Sequence, residues 1–298
     1  MPAYILSIVL VLVGQLFNAF IVLVDKHIVT QTAVKRPVVY AFYVGIISGV
    51  VMFLLPFGVV NIPSFEILAL SALIGIVFII SIVLLFSALK SANATDVVAW
   101  LAAISTLTTF IGGYFFLDED LPASFPYALI LFLVGMILVG HFRFYARSFT
   151  LVIFSGILFG FSAILIKVLF GHTTFVDAFF WSRMGNVLAA LLLLLSPSVR
   201  SAIFTTSKEV THKTSSLIFL NRALGGLAFL CILYAIRLGT VSIVNALSAF
   251  QFVFVFVLVL LFSKKLPHLY EHEFRPGHRL HKLAAMFFIV TGFFVLFI

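Results

Sequence analysis

Charge is what this sequence has least of. Acidic residues number 10 in 298, charged residues of both signs make up 9%, and the mean hydropathy is +1.28. With 63% hydrophobic residues, most side chains would have no aqueous core to hide in, which excludes a soluble globular domain. Cysteine is nearly missing as well. The single Cys231 excludes an intrachain disulfide and sits inside an apolar run, where packing is its ordinary role. Walker-type glycine loops are absent, which removes an ATP site, and so are G-x-S-x-G and H-E-x-x-H, which leaves an enzyme reading without a motif. The apolar runs also lack period-two alternation, which disfavours a transmembrane β-barrel.

Long apolar runs are what is there. They lie near residues 5–24, 37–56, 65–88, 95–117, 123–141, 149–170, 175–195, 216–236, 240–262 and 283–298. Roughly 20 apolar residues in a helix cross the ~30 Å hydrocarbon core. The predicted fold is therefore an all-α polytopic membrane protein with ten transmembrane helices. The first run has no basic n-region and no small-residue cleavage site, so it is expected to be a retained span rather than a signal peptide.

The net charge of +8 resides in short loops, which points to anionic lipid headgroups and excludes nucleic acid as the partner. Loops after odd-numbered spans hold residues such as Lys35, Arg36, Arg147, Arg200 and Lys213, whereas the opposite side holds only Lys167 and Arg237. The positive-inside rule then predicts a multi-pass protein of the cell (inner) membrane with both termini non-cytoplasmic.

One stretch occurs twice. ALKSANATDVVAWLAA from Ala88 returns from Ala235 as AIRLGTVSIVNALSAF, an ungapped match pairing Lys90 with Arg237, Thr95 with Ser242 and Val97 with Val244. The chain thus divides into related halves, 1–145 and 146–298, of five spans each. An odd number makes the second copy enter the membrane from the other face, so the halves are expected to be inverted repeats, an arrangement suited to alternating access. The two repeated helices are predicted to face each other across a central cavity.

Candidate cavity residues follow from helical spacing. Gln15, Asn18, Val22 and Asp25 share one face of span one, there either to line a cavity or to hydrogen-bond another helix. Span four carries a small-residue stripe, Thr95, Ala99, Ala102, Thr106, Thr109 and Gly113, bordered by Asp96 and Trp100, and span nine presents Asn245, Ser248 and Gln251. Gly156 and Gly160 of span six are assigned to packing. Arg183 and Arg222 lie about 10 Å inside their spans, where a cation must point inward, snorkel or pair with a carbonyl or carboxylate. If both line a cavity they favour an anionic ligand. Asp25, Glu66, Asp96, Glu119 and Asp177 all fall near expected span ends, and the lack of a mid-membrane carboxylate argues against a cation/proton antiporter. In the last loop His268 and His272 are four apart, but their spacing fits no zinc motif, so no metal and no cofactor is expected there.

Taken together these features resemble the EamA-type families of the drug/metabolite transporter superfamily. The residues that carry the likeness are Lys26 and Lys167 ending spans one and six, Arg183 early in a repeat's second span, Ala88-Leu89-Lys90 and Tyr234-Ala235-Ile236-Arg237 ending spans three and eight, and Glu119 before Leu121. The chain departs from the pattern at Ile46, which stands opposite Arg183, at Lys264 where a second glutamate is usual, and in a fourth span without proline. The family's termini are cytoplasmic, opposite to the charge count. The resemblance implies a central cavity formed chiefly by spans one, three, four, six, eight and nine, with Lys26, Lys90, Glu119, Lys167 and Arg237 at gating or helix-end positions. The expected function is secondary transport of a small polar metabolite, an amino acid or another carboxylate- or phosphate-bearing solute, by a monomer or homodimer. An integral membrane enzyme, or a scaffold or receptor with no solute flux, is the alternative.

Overall fold

A computed structural model describes residues 3–32, 34–139, 146–262 and 276–297. These form helices α1 (Ala3–Gln31), α2 (Pro37–Ile47), α3 (Phe65–Ser91), α4 (Ala94–Phe116), α5 (Phe125–Val139), α6 (Ala146–His172), α7 (Phe175–Leu193), α8 (Pro197–Glu209), α9 (His212–Leu238), α10 (Val241–Ala246), α11 (Ala249–Phe262) and α12 (Pro276–Val295), with no strand among the described residues. Among the described residues, eight helical stretches are long and apolar enough to cross a membrane. At the expected fifth and tenth spans the apolar helices Phe125–Leu138 and His281–Val295 are shorter.

Helix starts obey local chemistry. Ser64, Thr174 and Thr211 cap α3, α7 and α9 by accepting from the amides of Ile67, Asp177 and Thr214, which satisfies donors that a helix cannot pair internally. Pro37 opens α2, a position where a missing N–H costs nothing.

Several boundaries differ from the hydropathy reading. The 29 residues of α1 span about 44 Å, well past the apolar run, because no proline or glycine interrupts the chain between Asp25 and Gln31. Asp25 therefore lies inside the helix and not at its end. The second span changes at Ser48 from α-helix to a 3-10 run ending at Phe57, and the ninth breaks at Leu247–Ser248 between α10 and α11. Residues 197–209, read as loop, form α8. Lys282, near the start of the expected tenth span, is buried and donates to Thr95 Oγ1 at 2.9 Å.

Small residues set the packing. α3 meets α7 where Ser71 and Gly75 oppose Gly185, so closely that a Cβ on either glycine would run into the other helix's backbone. Gly156 and Gly160 of α6 lie against Ile104 and Thr108 of α4 in the same way. α1 runs along α9, α6 along α3, and α5 along α12. By contrast α2 and α9 scarcely touch, and the most apolar stretches of the spans Pro37–Phe57 and His212–Leu238 are only 28% and 22% buried, against 44% or more in the other six spans. That loose pair is one wall of the cavity.

Candidate binding cavity

A cavity of about 560 Å3 lies between α1, α2, α3, α4, α6, α7, α9, α10 and α11, a size within the usual range for small-molecule sites. Its rim includes the exposed residues Val50, Phe219 and Leu227 of the α2–α9 wall. On the α9 side of that wall Gly226 faces open space, for a Cβ there would meet nothing within 4 Å.

Seven of the ten expected cavity residues come together here: Gln15, Asn18, Arg183, Arg222, Asn245, Ser248 and Gln251. Asn18 donates to Gln15 Oε1 at 3.4 Å, and Gln251 donates to the Asn18 carbonyl at 3.2 Å, which ties α11 to α1. At the α10–α11 break, Asn245 Nδ2 and Ser248 Oγ have no hydrogen-bond partner among the described residues.

Three expected wall residues lie elsewhere. Thr106 is buried and donates to the Asn245 carbonyl at 2.8 Å, so it supports the broken helix from behind. Trp100 packs edge-on against Phe149, and Asp96 accepts from Asn93 at 3.3 Å at the start of α4. The physical reason is that α4 packs directly on α10 and α11 instead of facing them across the cavity. Its small-residue stripe permits that approach, and Ser242 Oγ donates to Glu119 at 2.6 Å beside Gly113.

The two intramembrane arginines differ in their surroundings. Arg222 forms a salt bridge with Asp25, whose Oδ1 also accepts from Tyr40 at 2.5 Å and Asn221 at 2.6 Å. This network joins α1, α2 and α9. Asp25 is 4% exposed, a carboxylate buried within the bundle because α1 continues beyond the apolar run that marked the span. Arg183 has no hydrogen bond or ion pair among the described residues, and its Nε is buried without a partner. Its guanidinium carbon sits 3.4 Å from the centroid of Phe229 and 5.8 Å from that of Phe78.

The helix-end residues form paired contacts. Lys26 donates to the Ala92 carbonyl at 2.7 Å, and Lys167 donates to the carbonyls of Ile236 and Gly239 at 2.8 and 2.5 Å. Each ammonium thus meets a helix C-terminus, that of α3 and that of α9, where the carbonyl dipole favours a cation. Glu119 does the opposite, accepting from the amides of Val241 and Ser242 at the start of α10. Arg237 lies over Phe175 at 5.6 Å, and Lys90 is exposed in the last turn of α3. His268 and His272 lie outside the described residues.

Sequence reasoning missed the aromatic wall of Phe78, Phe159, Phe179 and Phe229, and the partners Tyr40 and Asn221. Phenylalanine in an apolar span carries no signal that separates cavity from lipid. Asn221 did carry one, being a polar residue adjacent to Arg222.

Fold and cavity together define an all-helical bundle, with eight helices among the described residues long and apolar enough to cross a membrane, around a mainly apolar chamber that carries a few polar and charged side chains. No protein-family model matches the sequence, and no curated protein matches it. A solved structure described as "Crystal structure of protein" is similar over 98% of this chain and 94% of its own, with a TM-score of 0.66 and 18% identity. At that identity the likeness shows the fold alone.

Proposed function

We propose that this protein is a secondary membrane transporter that moves a small carboxylate- or phosphate-bearing metabolite by alternating access. The observation that carries the reading is Arg183, a cation on the wall of a central chamber with no counter-ion among the described residues. A charge held in that way is costly unless it is retained for a ligand.

The duplication supports the same reading. Ala92 and Gly239, which the ungapped sequence match pairs, each receive a lysine from the first helix of a half, Lys26 or Lys167. The corresponding packings, α1 on α9 and α6 on α3, are also exchanged between halves. These relations favour ten spans arranged as two inverted repeats, and with them an EamA-type drug/metabolite transporter architecture. Where the symmetry fails, it fails as one state of a carrier would: α3 is closed on α7, while its counterpart α9 stands away from α2.

The test is solute flux. Purified protein in proteoliposomes should take up a carboxylate- or phosphate-bearing solute that also raises its unfolding midpoint, since a ligand stabilises the state it binds. Absence of flux for every stabilising solute would point to a receptor or scaffold.

A further inference from the structure

The charges of the cavity wall narrow the ligand. They belong to Asp25, Arg183 and Arg222. Asp25 and Arg222 are salt-bridged, and three donors already converge on Asp25 Oδ1. The pair cancels, and the wall keeps one positive charge, on Arg183.

The neighbours of Arg183 are rings. Phe229 and Phe78 lie over its guanidinium carbon, Phe159 is edge-on to Phe78, and Phe179 is tilted against Phe229. Phe229 lies against the guanidinium, with Phe78 farther off, and no group among the described residues accepts from its N–H donors, so they remain to meet a carboxylate, which a guanidinium can bind through two parallel hydrogen bonds. An anion bound there has its attached body among phenylalanines.

Resting on the carrier reading, we propose that the ligand is an organic monoanion, a single carboxylate on a flat apolar body, with Arg183 as its anchor. A dianion would bring a second charge to a wall that offers one. A zwitterionic amino acid would bring an ammonium, whose only carboxylate in the wall is already held by Arg222, Tyr40 and Asn221. Both carry an uncompensated charge into an apolar site, and that cost rejects them.

The test compares 3-phenylpropionate, its amide, L-phenylalanine and inorganic phosphate, by shift of the unfolding midpoint and by uptake over protein-free vesicles. The acid should bind at least about 10-fold more tightly than the amide or the amino acid, and Arg183→Gln should weaken it about 10- to 100-fold. If Arg183→Gln lowers the ligand-free midpoint, Arg183→Lys decides, because the retained charge must retain the preference for acid over amide. Equal binding of acid, amide and amino acid, or undiminished binding by Arg183→Gln, overturns the assignment. Uptake of phosphate or phenylalanine without 3-phenylpropionate would refute this ligand class and leave the carrier standing. Stabilisation by 3-phenylpropionate with no flux of any probe would do the reverse.

Discussion

Two arginines at similar depth differ in role because one has a carboxylate and the other does not. Asp25 and Arg222 are 6% and 10% exposed at their side chains, so neither can turn to water if its partner is removed. Breaking such a buried pair typically costs about 3–5 kcal/mol. Asp25→Asn, which leaves Arg222 with a neutral amide, should therefore lower the unfolding midpoint in detergent sharply. Asp25→Asn combined with Arg222→Gln removes both charges and should cost much less than the two single changes added together. Additive losses would show that the pair is not an energetic unit. Sequence placed Arg222 in a span and Asp25 on the face of Gln15 and Asn18, and both placements hold in the cavity wall. Their pairing was not legible, since it depends on the approach of α9 to α1 across nearly 200 residues of chain.

At the scale of the helices, close approach is set by residues without side chains. Gly185 of α7 lies on the Ser71 carbonyl of α3, so Gly185→Ala forces the two helices apart or strains them. Overpacking of this kind costs about 1–3 kcal/mol, and a thermal melt should show it. Gly226→Ala on α9, where a Cβ meets nothing, serves as the comparison and should be neutral or slightly stabilising, by about 0.4–1 kcal/mol. Equal losses from both would mean that the α3–α7 contact does not hold the bundle. Hydropathy reads a helix only through the sum of its side chains, which is why it located the apolar helices. It could not detect the 3-10 half of the second span or the break at Leu247–Ser248, because a sum over side chains carries no record of backbone geometry. Nor could it tell that the α4 stripe receives α10 and α11 directly, since small residues allow a neighbour and a void equally.

For the molecule as a whole, the distribution of cations is the property that orients it. Arg200 lies in α8 and Lys213 in the first turn of α9, at the end of the bundle that also carries Arg147 at the start of α6. Asp118, Glu119 and Asp120 follow α4 at the other end, near the α9–α10 turn that Glu119 binds. The positive-inside rule predicts a cytoplasmic α8 end. The family resemblance implies the opposite orientation, so a labelling experiment separates the two. In a background in which the native Cys231 is replaced by serine, Ser198→Cys should resist a membrane-impermeant thiol reagent in intact cells and react only after permeabilisation. Asp120→Cys should react from outside without permeabilisation. The reversed pattern would assign the α8 end to the exterior and would place the α2–α9 opening in the opposite orientation with respect to the cell. Either way the result sets the direction in which the chamber, as described, presents Arg183 to solute.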